Sequence, residues 1–325
     1  MNASTLSHLY GSLVQPILNY GCEIWAPDRL GNIAPNGIDG QYETIQNRFM
    51  KRALGVRDST STKLILHELN RSPTWTQWLR QCIGFWNKIV IRKDDDIVKI
   101  ALMENILMAI NDNNKHCWSH GLLRCLKRLG VIDEFSEVLQ TDRITPKKFD
   151  LEKINQGISN IIDTDWSLLA TKDPRSLDDS QGAGIKCISY ANWMRSDEDN
   201  SSPLYTKIMN NKADITCIAR LRFRAHNLNV EAERNLSRSN RICRCCNMMI
   251  DGRRAVEDEM HFMLECPLYS EDRKLFFDKL KINPDLLNKN SCMRALMNPD
   301  SFEGWKFLTK FIRSCDSKRK IKLDL

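Results

Sequence analysis

Three thiols and an imidazole with chelating spacing lie within residues 243–266, "CRCCNMMIDGRRAVEDEMHFMLEC". Cys243 and Cys246 have two residues between them; fourteen residues follow, and then His261 and Cys266 stand with four between them. Thiolate sulfur and imidazole nitrogen are the ligands Zn²⁺ prefers in closed tetrahedral sites, and a C-x2-C pair forms the usual tight knuckle. Four protein ligands leave no open coordination position, so the expected chemistry is structural: one Zn²⁺ that folds a segment. Cys245 is a competing thiol, although its single-residue spacing from Cys243 makes a poorer chelate. The segment has too little apolar surface to fold alone, so its stability is expected to depend on metal.

The first half of this segment reads as loop or hairpin. The second half, from Glu257 through Cys266, reads as a short helix stopped by Pro267. Around it lies an unusual charge distribution. Of the chain's formal excess of +7, almost all falls between Ala219 and Arg254, which hold nine arginines, no lysine and three acids. Arginine without lysine suits a bidentate grip on phosphate and stacking on bases. Arg220, Arg222, Arg224, Arg234, Arg238, Arg241 and Arg244 are therefore the candidate nucleic-acid contacts. Arg220 and Arg224, four apart, are expected to share a helix face, with Arg222 turned elsewhere, toward the acids at 257–259. Four to six phosphate contacts would give log affinity for a single strand a slope of roughly −3 to −4 against log salt.

The remaining elements read as helices, which makes the expected fold class mainly α. Tyr10, Leu13, Val14, Ile17, Leu18 and Gly21 fall at helical spacing, with a kink at Pro16. Ile45, Phe49, Met50, Ala53 and Leu54 repeat the pattern up to Gly55, a C-cap candidate. Arg48, Lys51 and Arg52 share the opposite face and form a second basic candidate surface. Ser72-Pro73 opens a helix as cap and first position, and its stripe of Trp75, Trp78, Leu79, Cys82, Ile83, Trp86, Ile89 and Val90 reads as core. Further helices are expected over 97–110, 122–129 and 151–169, a linker over 170–184, and closing helices over 275–280 and 305–312 before a frayed basic tail, "DSKRKIKLDL". The expected organisation is a helical bundle over 1–93, a helical connector over 94–200 and an arginine-rich zinc-binding domain with closing helices over 201–325.

Composition narrows the function classes. With 42% apolar and 27% charged residues the chain has a globular profile. No apolar run approaches the ~20 residues of a membrane helix, and the N-terminus lacks the pattern of a secretory signal. Outside 243–266 the cysteines stand singly in apolar or helical patterns, as in a reducing compartment. A nuclear or cytoplasmic location is expected. Asp94-Asp95-Asp96 could suggest a two-metal polymerase site, but helix capping accounts for them better; Asp178-Asp179 falls in the linker. Cys117-x2-His120-x4-Cys125 offers three ligands with only the adjacent His116 as a fourth, and reads as core cysteines on a helix.

The stretch "RICRCC…VEDEMHFMLECPLYSEDR" (241–273) resembles the zinc-binding segment near the C-terminus of non-LTR (LINE-like) retrotransposon reverse transcriptases. Arg241, Cys243, Cys246, Glu257, Asp258, Glu259, His261, Phe262, Cys266, Pro267 and Tyr269 fall on that pattern, and "IARLRFRAHNLNVEAERN" looks like the arginine-rich stretch that precedes it. "LYGSLVQPILNYGCEIWAP" (9–27) and "IQNRFMKRALGVRDSTSTKLILHELNRSP" (45–73) are similar to the helical region after the polymerase palm. The resemblance implies a C-terminal region of thumb-like helices, connector and zinc segment that holds template RNA and target DNA, with a polymerase palm upstream in a longer polyprotein. The family is an RNA-directed DNA polymerase, but its catalytic aspartates have no match here, so the chain alone is expected to extend no primer. The alternatives are a stand-alone zinc-dependent protein-interaction scaffold, its arginines merely solvated, and a decayed retroelement copy without present function.

Overall fold

The computed structural model describes residues 1–31, 41–111, 117–139, 145–162, 166–175, 184–195 and 202–324. The chain is mainly helical, and the one sheet among the described residues has two strands. In chain order the α-helices are α1 (Ala3–Leu9), α2 (Gln15–Leu18), α3 (Cys22–Leu30), α4 (Gln41–Leu54), α5 (Thr62–Glu68), α6 (Thr74–Val90), α7 (Ile97–Asn111), α8 (Trp118–Arg128) and α9 (Leu151–Ile162). They continue as α10 (Trp166–Ala170), α11 (Gly184–Ser189), α12 (Leu204–Ile208), α13 (Lys212–Arg222), α14 (Asn229–Ala232), α15 (Ser270–Leu280), α16 (Lys289–Met297) and α17 (Phe302–Lys322). Strands β1 (Met249–Ile250) and β2 (Arg253–Arg254) form an antiparallel hairpin.

The chain packs as two compact units, one of Leu9–Asn47 with Ser72–Thr164, the other of Met1–His8 and Arg48–Arg71 with Asp165–Leu325. These units cut across the consecutive segments 1–93, 94–200 and 201–325. The reason is visible in residues 48–71, whose partners lie far along the chain. Gly55 ends α4 with φ +69° and a Val56 N–H bonded back to the Lys51 carbonyl, the C-cap its position predicts. A Cβ there would also collide with Thr216. Glu68, fully buried, pairs with Arg222.

In the first unit, α6 supplies the core. Its one-sided stripe puts Trp75, Trp78 and Trp86 at most 1% exposed, so these tryptophans are core, as helical spacing predicts. Two of the indole N–H groups find partners: Trp78 donates to Asn19 Oδ1 at 2.8 Å and Trp86 to the Lys147 carbonyl at 2.8 Å. Helix α6 starts one residue later than expected, with Pro73 at the cap. Since proline cannot cap with its side chain, Glu43 of α4 does so instead, accepting from Trp75 N–H at 2.9 Å. Helix α3 meets α8 backbone to backbone, because Gly121 has no Cβ to strike the Pro27 carbonyl.

Two expectations about this unit are corrected or sharpened. Leu13 and Ile17 are not core: they are 63% and 76% exposed, and with Tyr20 and Ile24 they face outward. Periodicity marks an apolar face without saying what covers it. The kink expected at Pro16 takes the form of a π-helical turn, Tyr10–Val14, ahead of α2. Asp96 caps α7, accepting from Val98 N–H at 2.9 Å, and Asp94 pairs with Lys99; Asp178 and Asp179 lie outside the described residues.

The second unit sets a buried polar cluster within its apolar core. Arg222 and Glu68 have fully buried side chains, and Tyr190 and Tyr205 hydroxyls both donate to the Glu68 carboxylate. Arg222 also donates to the carbonyls of Met194 and Met297 and stacks near Tyr190, Tyr205 and Trp305. Burial opposes the charge on Arg222, but the Glu68 carboxylate outweighs it and pushes its pKa up. The "frayed tail" is the other correction: α17 runs unbroken to Lys322. Arg319, 8% exposed, explains why, since its side chain is drawn inward to Glu257.

Candidate metal centre and its arginine surround

The C-x2-C knuckle rests on the hairpin. Asp251 and Gly252 between β1 and β2 both have positive φ (50° and 76°), the two-residue turn whose twist matches antiparallel strands. Cys243 N–H donates to the Ala255 carbonyl at 2.8 Å and Ala255 N–H to the Met248 carbonyl at 2.9 Å, so both arms hold the knuckle. Arg254 donates to the carbonyls of Cys243 and Cys246, each at 3.2 Å.

The other two side chains come from a π-helical turn, His261–Glu265, in place of the expected α-helix. The distinction matters for the site. Five residues of α-helix turn a side chain through roughly 500°, leaving His261 and Cys266 on different faces. The i→i+5 closure, Cys266 N–H to His261 carbonyl at 2.7 Å, returns both to one side. The ligand atoms of Cys243, Cys246, His261 and Cys266 consequently all lie within 4.8 Å of one another, three of the residues buried and Cys246 partly so. A tetrahedron with metal–sulfur bonds of ~2.3 Å has S···S edges of roughly 3.8 Å, so the group could hold a metal ion.

His261 presents Nε2 to Cys246 Sγ at 3.4 Å, leaving Nδ1 3.6 Å from Glu265 Oε2. A carboxylate behind a ligating imidazole orients the ring. The thiols are close enough to share protons. Hydrogen bonds from Cys245 and Cys266 hold Cys243 well below the usual thiol range, while those two are raised in turn. For His261 burial opposes protonation, but Cys243 and Glu265 outweigh it and push the ring up to about 10. Cys245 forms a second, three-membered group with Cys243 and Glu257, but Glu257 is already held by both nitrogens of Arg319 that face it, at 2.7 and 2.8 Å.

That pairing is one of a set. Each carboxylate of the buried run Glu257-Asp258-Glu259 takes different partners: Glu257 takes Arg319, Asp258 takes Arg175 and Arg238, and Glu259 takes Arg224 and the His226 ring. Arg175 continues from Asp258 to Glu265, and Lys289 meets Glu265 from the solvent side. Burial alone would raise the Glu259 carboxyl, yet Arg224 and His226 hold it well below the usual carboxylate range. Asp258 also accepts from His261 N–H at 2.8 Å, which ties this lattice to a ligand's backbone.

The arginines proposed from sequence as nucleic-acid contacts divide sharply. Arg222, Arg224 and Arg241 are at most 3% exposed and cannot meet phosphates. Arg222 goes to Glu68, not to the 257–259 run, and Arg241 gathers the carbonyls of Val230, Arg234 and Leu236. Arg224 lies beyond the end of α13 with φ +52°, so it shares no helix face with Arg220. Arg238 is mostly covered and engaged with Asp258. Arg220, Arg234 and Arg244 are exposed, the last two paired with Glu231 and Glu233. On α4, Arg48 and Arg52 are exposed, but Lys51 turns inward to the Asp58 carbonyl, and burial lowers its pKa.

Arg175 and Arg319 were missed by sequence reasoning; their partners lie 83 and 62 residues away. The available signal was three consecutive acids beside an arginine-rich stretch. The Cys117–His120–Cys125 set forms no metal group among the described residues, and His116 lies outside them. Cys125 is buried, which pushes its thiol up to about 12, and His120 packs edge-on against Phe135. All twelve cysteines are free thiols. No helix among the described residues is long and apolar enough to cross a membrane. Comparison with family models, with curated proteins and with solved structures finds no match, so the chemistry of this site rests on its own residues.

Proposed function

We propose that this chain is a nucleic-acid-binding part of a LINE-like reverse transcriptase, folded around one structural Zn²⁺ and holding template RNA or target DNA for a polymerase palm elsewhere in the polyprotein. The observation that carries this reading is the convergence of Cys243, Cys246, His261 and Cys266, on residues that also bear the resemblance to that family. Three thiolates with one imidazole suit Zn²⁺ over harder cations, and the closed set gives the ion a folding role. Exposed Arg220 supplies phosphate-binding charge, while Arg234 and Arg244 are exposed but held by Glu231 and Glu233.

The burial of Arg222, Arg224 and Arg241 favours a second reading, a zinc-dependent protein scaffold, because those arginines serve the fold. One experiment separates the two. Purified protein should contain one zinc per chain by elemental analysis and lose it in the Cys246→Ser/His261→Ala double variant. The metal-loaded chain should bind labelled single-stranded RNA or DNA with salt-dependent affinity. Zinc without such binding would leave the scaffold reading; absence of zinc would overturn the metal assignment itself.

A further inference from the structure

Beside the metal centre, a groove of about 1290 Å³ is lined by parts of α13, the 225–233 segment and the C-terminal half of α17. Its volume exceeds the roughly 300–1,000 Å³ of small-molecule pockets, which suits a length of polymer. Six cations line it, Lys212, Arg220, Arg244, Arg313, Arg319 and Lys320, against two carboxylates, Glu233 and Asp316. Arg319 is committed to Glu257, Arg244 to Glu233 and Arg313 to Asp214. Lys212, Arg220 and Lys320 are exposed, and none enters an ion pair among the described residues. Lys320 is drawn electrostatically to Asp316 one helical turn away, yet six cations against two carboxylates leave the lining with excess positive charge that an anionic chain would offset.

The walls say which polyanion fits. Peptides anchor through apolar or aromatic side chains that fill pockets. Here the larger apolar lining residues Leu221, Leu228, Phe262 and Ile312 are at most 3% exposed, which leaves the half-buried Leu323 as the one larger apolar side chain on offer rather than a row of sockets. For the same reason the lining's one aromatic ring, Phe262, is closed to base stacking. Beside small apolar side chains and Leu323, the accessible lining carries charged and hydrogen-bonding groups, among them exposed Asn227.

We propose that this groove holds a single nucleic-acid strand by its backbone, with phosphates turned in toward Lys212, Arg220 and Lys320 and bases turned out. This assignment rests on the nucleic-acid reading above and adds its location and mode: sequence-tolerant, without stacking. The test is fluorescence anisotropy with labelled oligouridylate and oligoadenylate over a salt series, using the zinc-loaded full chain. Its variants are Arg220→Gln/Lys320→Gln in the groove and Lys274→Gln/Lys279→Gln, exposed on α15 outside the groove. Elemental analysis of each variant confirms that the metal centre is intact.

Each phosphate contact with a single strand contributes about −0.7 to the slope of log affinity against log salt. The groove variant should therefore flatten the slope by roughly 1.4 and bind at least about tenfold more weakly at low salt, with the α15 variant unchanged and the two homopolymers bound alike. Salt-dependent binding by the parent that survives in the groove variant would overturn the groove and leave the nucleic-acid reading standing. Absence of binding by the parent overturns both. Polyglutamate competing on equal terms with RNA would overturn the assignment to nucleic acid.

Discussion

At the scale of single residues, the chelating quartet was legible because its signal is local: two spacings and four residue types. The arginines were not, because type and count do not reveal a partner. Arg222 meets Glu68 from 154 residues away, and nothing in residues 219–254 distinguishes it from exposed Arg220. The difference has an energetic consequence. Replacing Arg222 with Met should destabilise the chain by about 3–5 kcal/mol, since it leaves the Glu68 carboxylate buried without its counter-charge. Adding Glu68→Gln should restore part of that loss, because a neutral amide oxygen still accepts from the Tyr205 hydroxyl. Urea unfolding of the single and double variants checks this. A loss below about 1 kcal/mol in the single variant would show that Arg222 and Glu68 are not interdependent. It follows that Arg222, Arg224 and Arg241 are unsuitable probes of nucleic-acid binding, because their substitution disturbs the fold first.

At the scale of elements, the helices, the tryptophan stripe of α6 and the local caps at Gly55 and Asp96 followed from sequence, whereas the start of α6 and the end of α17 depended on distant residues. Helix α17 outruns its apolar pattern because Arg319 and Lys318 find Glu257 and Asp272. The π turn at His261–Glu265 was implicit in the four-residue gap between His261 and Cys266, which an α-helix cannot turn to one face. The start of α6 carries the clearest pH dependence. Burial raises the Glu43 carboxyl from 4.5 to about 7, and the backbone N–H groups of Trp75 and Thr74 offset only part of that rise. A carboxyl whose folded pKa lies above its unfolded one favours the folded state below about pH 4.5, and that contribution is lost as pH rises through about 7. The full loss is on the order of 3 kcal/mol, at about 1.4 kcal/mol per unit. Glu43→Gln keeps an acceptor for Trp75 N–H without the charge, so it should match the parent near pH 4.5 and exceed it in stability at pH 8. Urea midpoints measured across that range decide it; a variant less stable than the parent at pH 8 would show that the ionised carboxylate stabilises the start of α6 despite its burial.

At the scale of the whole molecule, the two compact units differ in how much charge they bury, and this predicts how each responds to metal. The unit containing α3, α6, α7, α8 and α9 has an apolar core of tryptophan, leucine and isoleucine side chains, which needs no counter-charge. The unit containing the Cys/His quartet also buries apolar side chains, among them Trp193, Phe223, Phe262 and Trp305, but it adds buried ion pairs: Glu68 with Arg222, Glu257 with Arg319, Asp258 and Glu265 with Arg175. Such pairs do little to stabilise a fold unless their geometry is held, and the π turn that carries Glu265 also carries His261 and Cys266. Removing the proposed Zn²⁺ sets three thiolates and an imidazole free at that turn, so the Arg175 and Arg319 lattice should loosen with it. Hydrogen exchange of the chelator-treated chain is the measurement. Amides in residues 241–266 and in α17 around Arg319 should lose protection, while those of α6 in the tryptophan core keep theirs. Equal loss in both units would mean that the metal supports the molecule as one cooperative body, and unchanged protection near Arg319 would mean that the arginine lattice holds its shape without the ion.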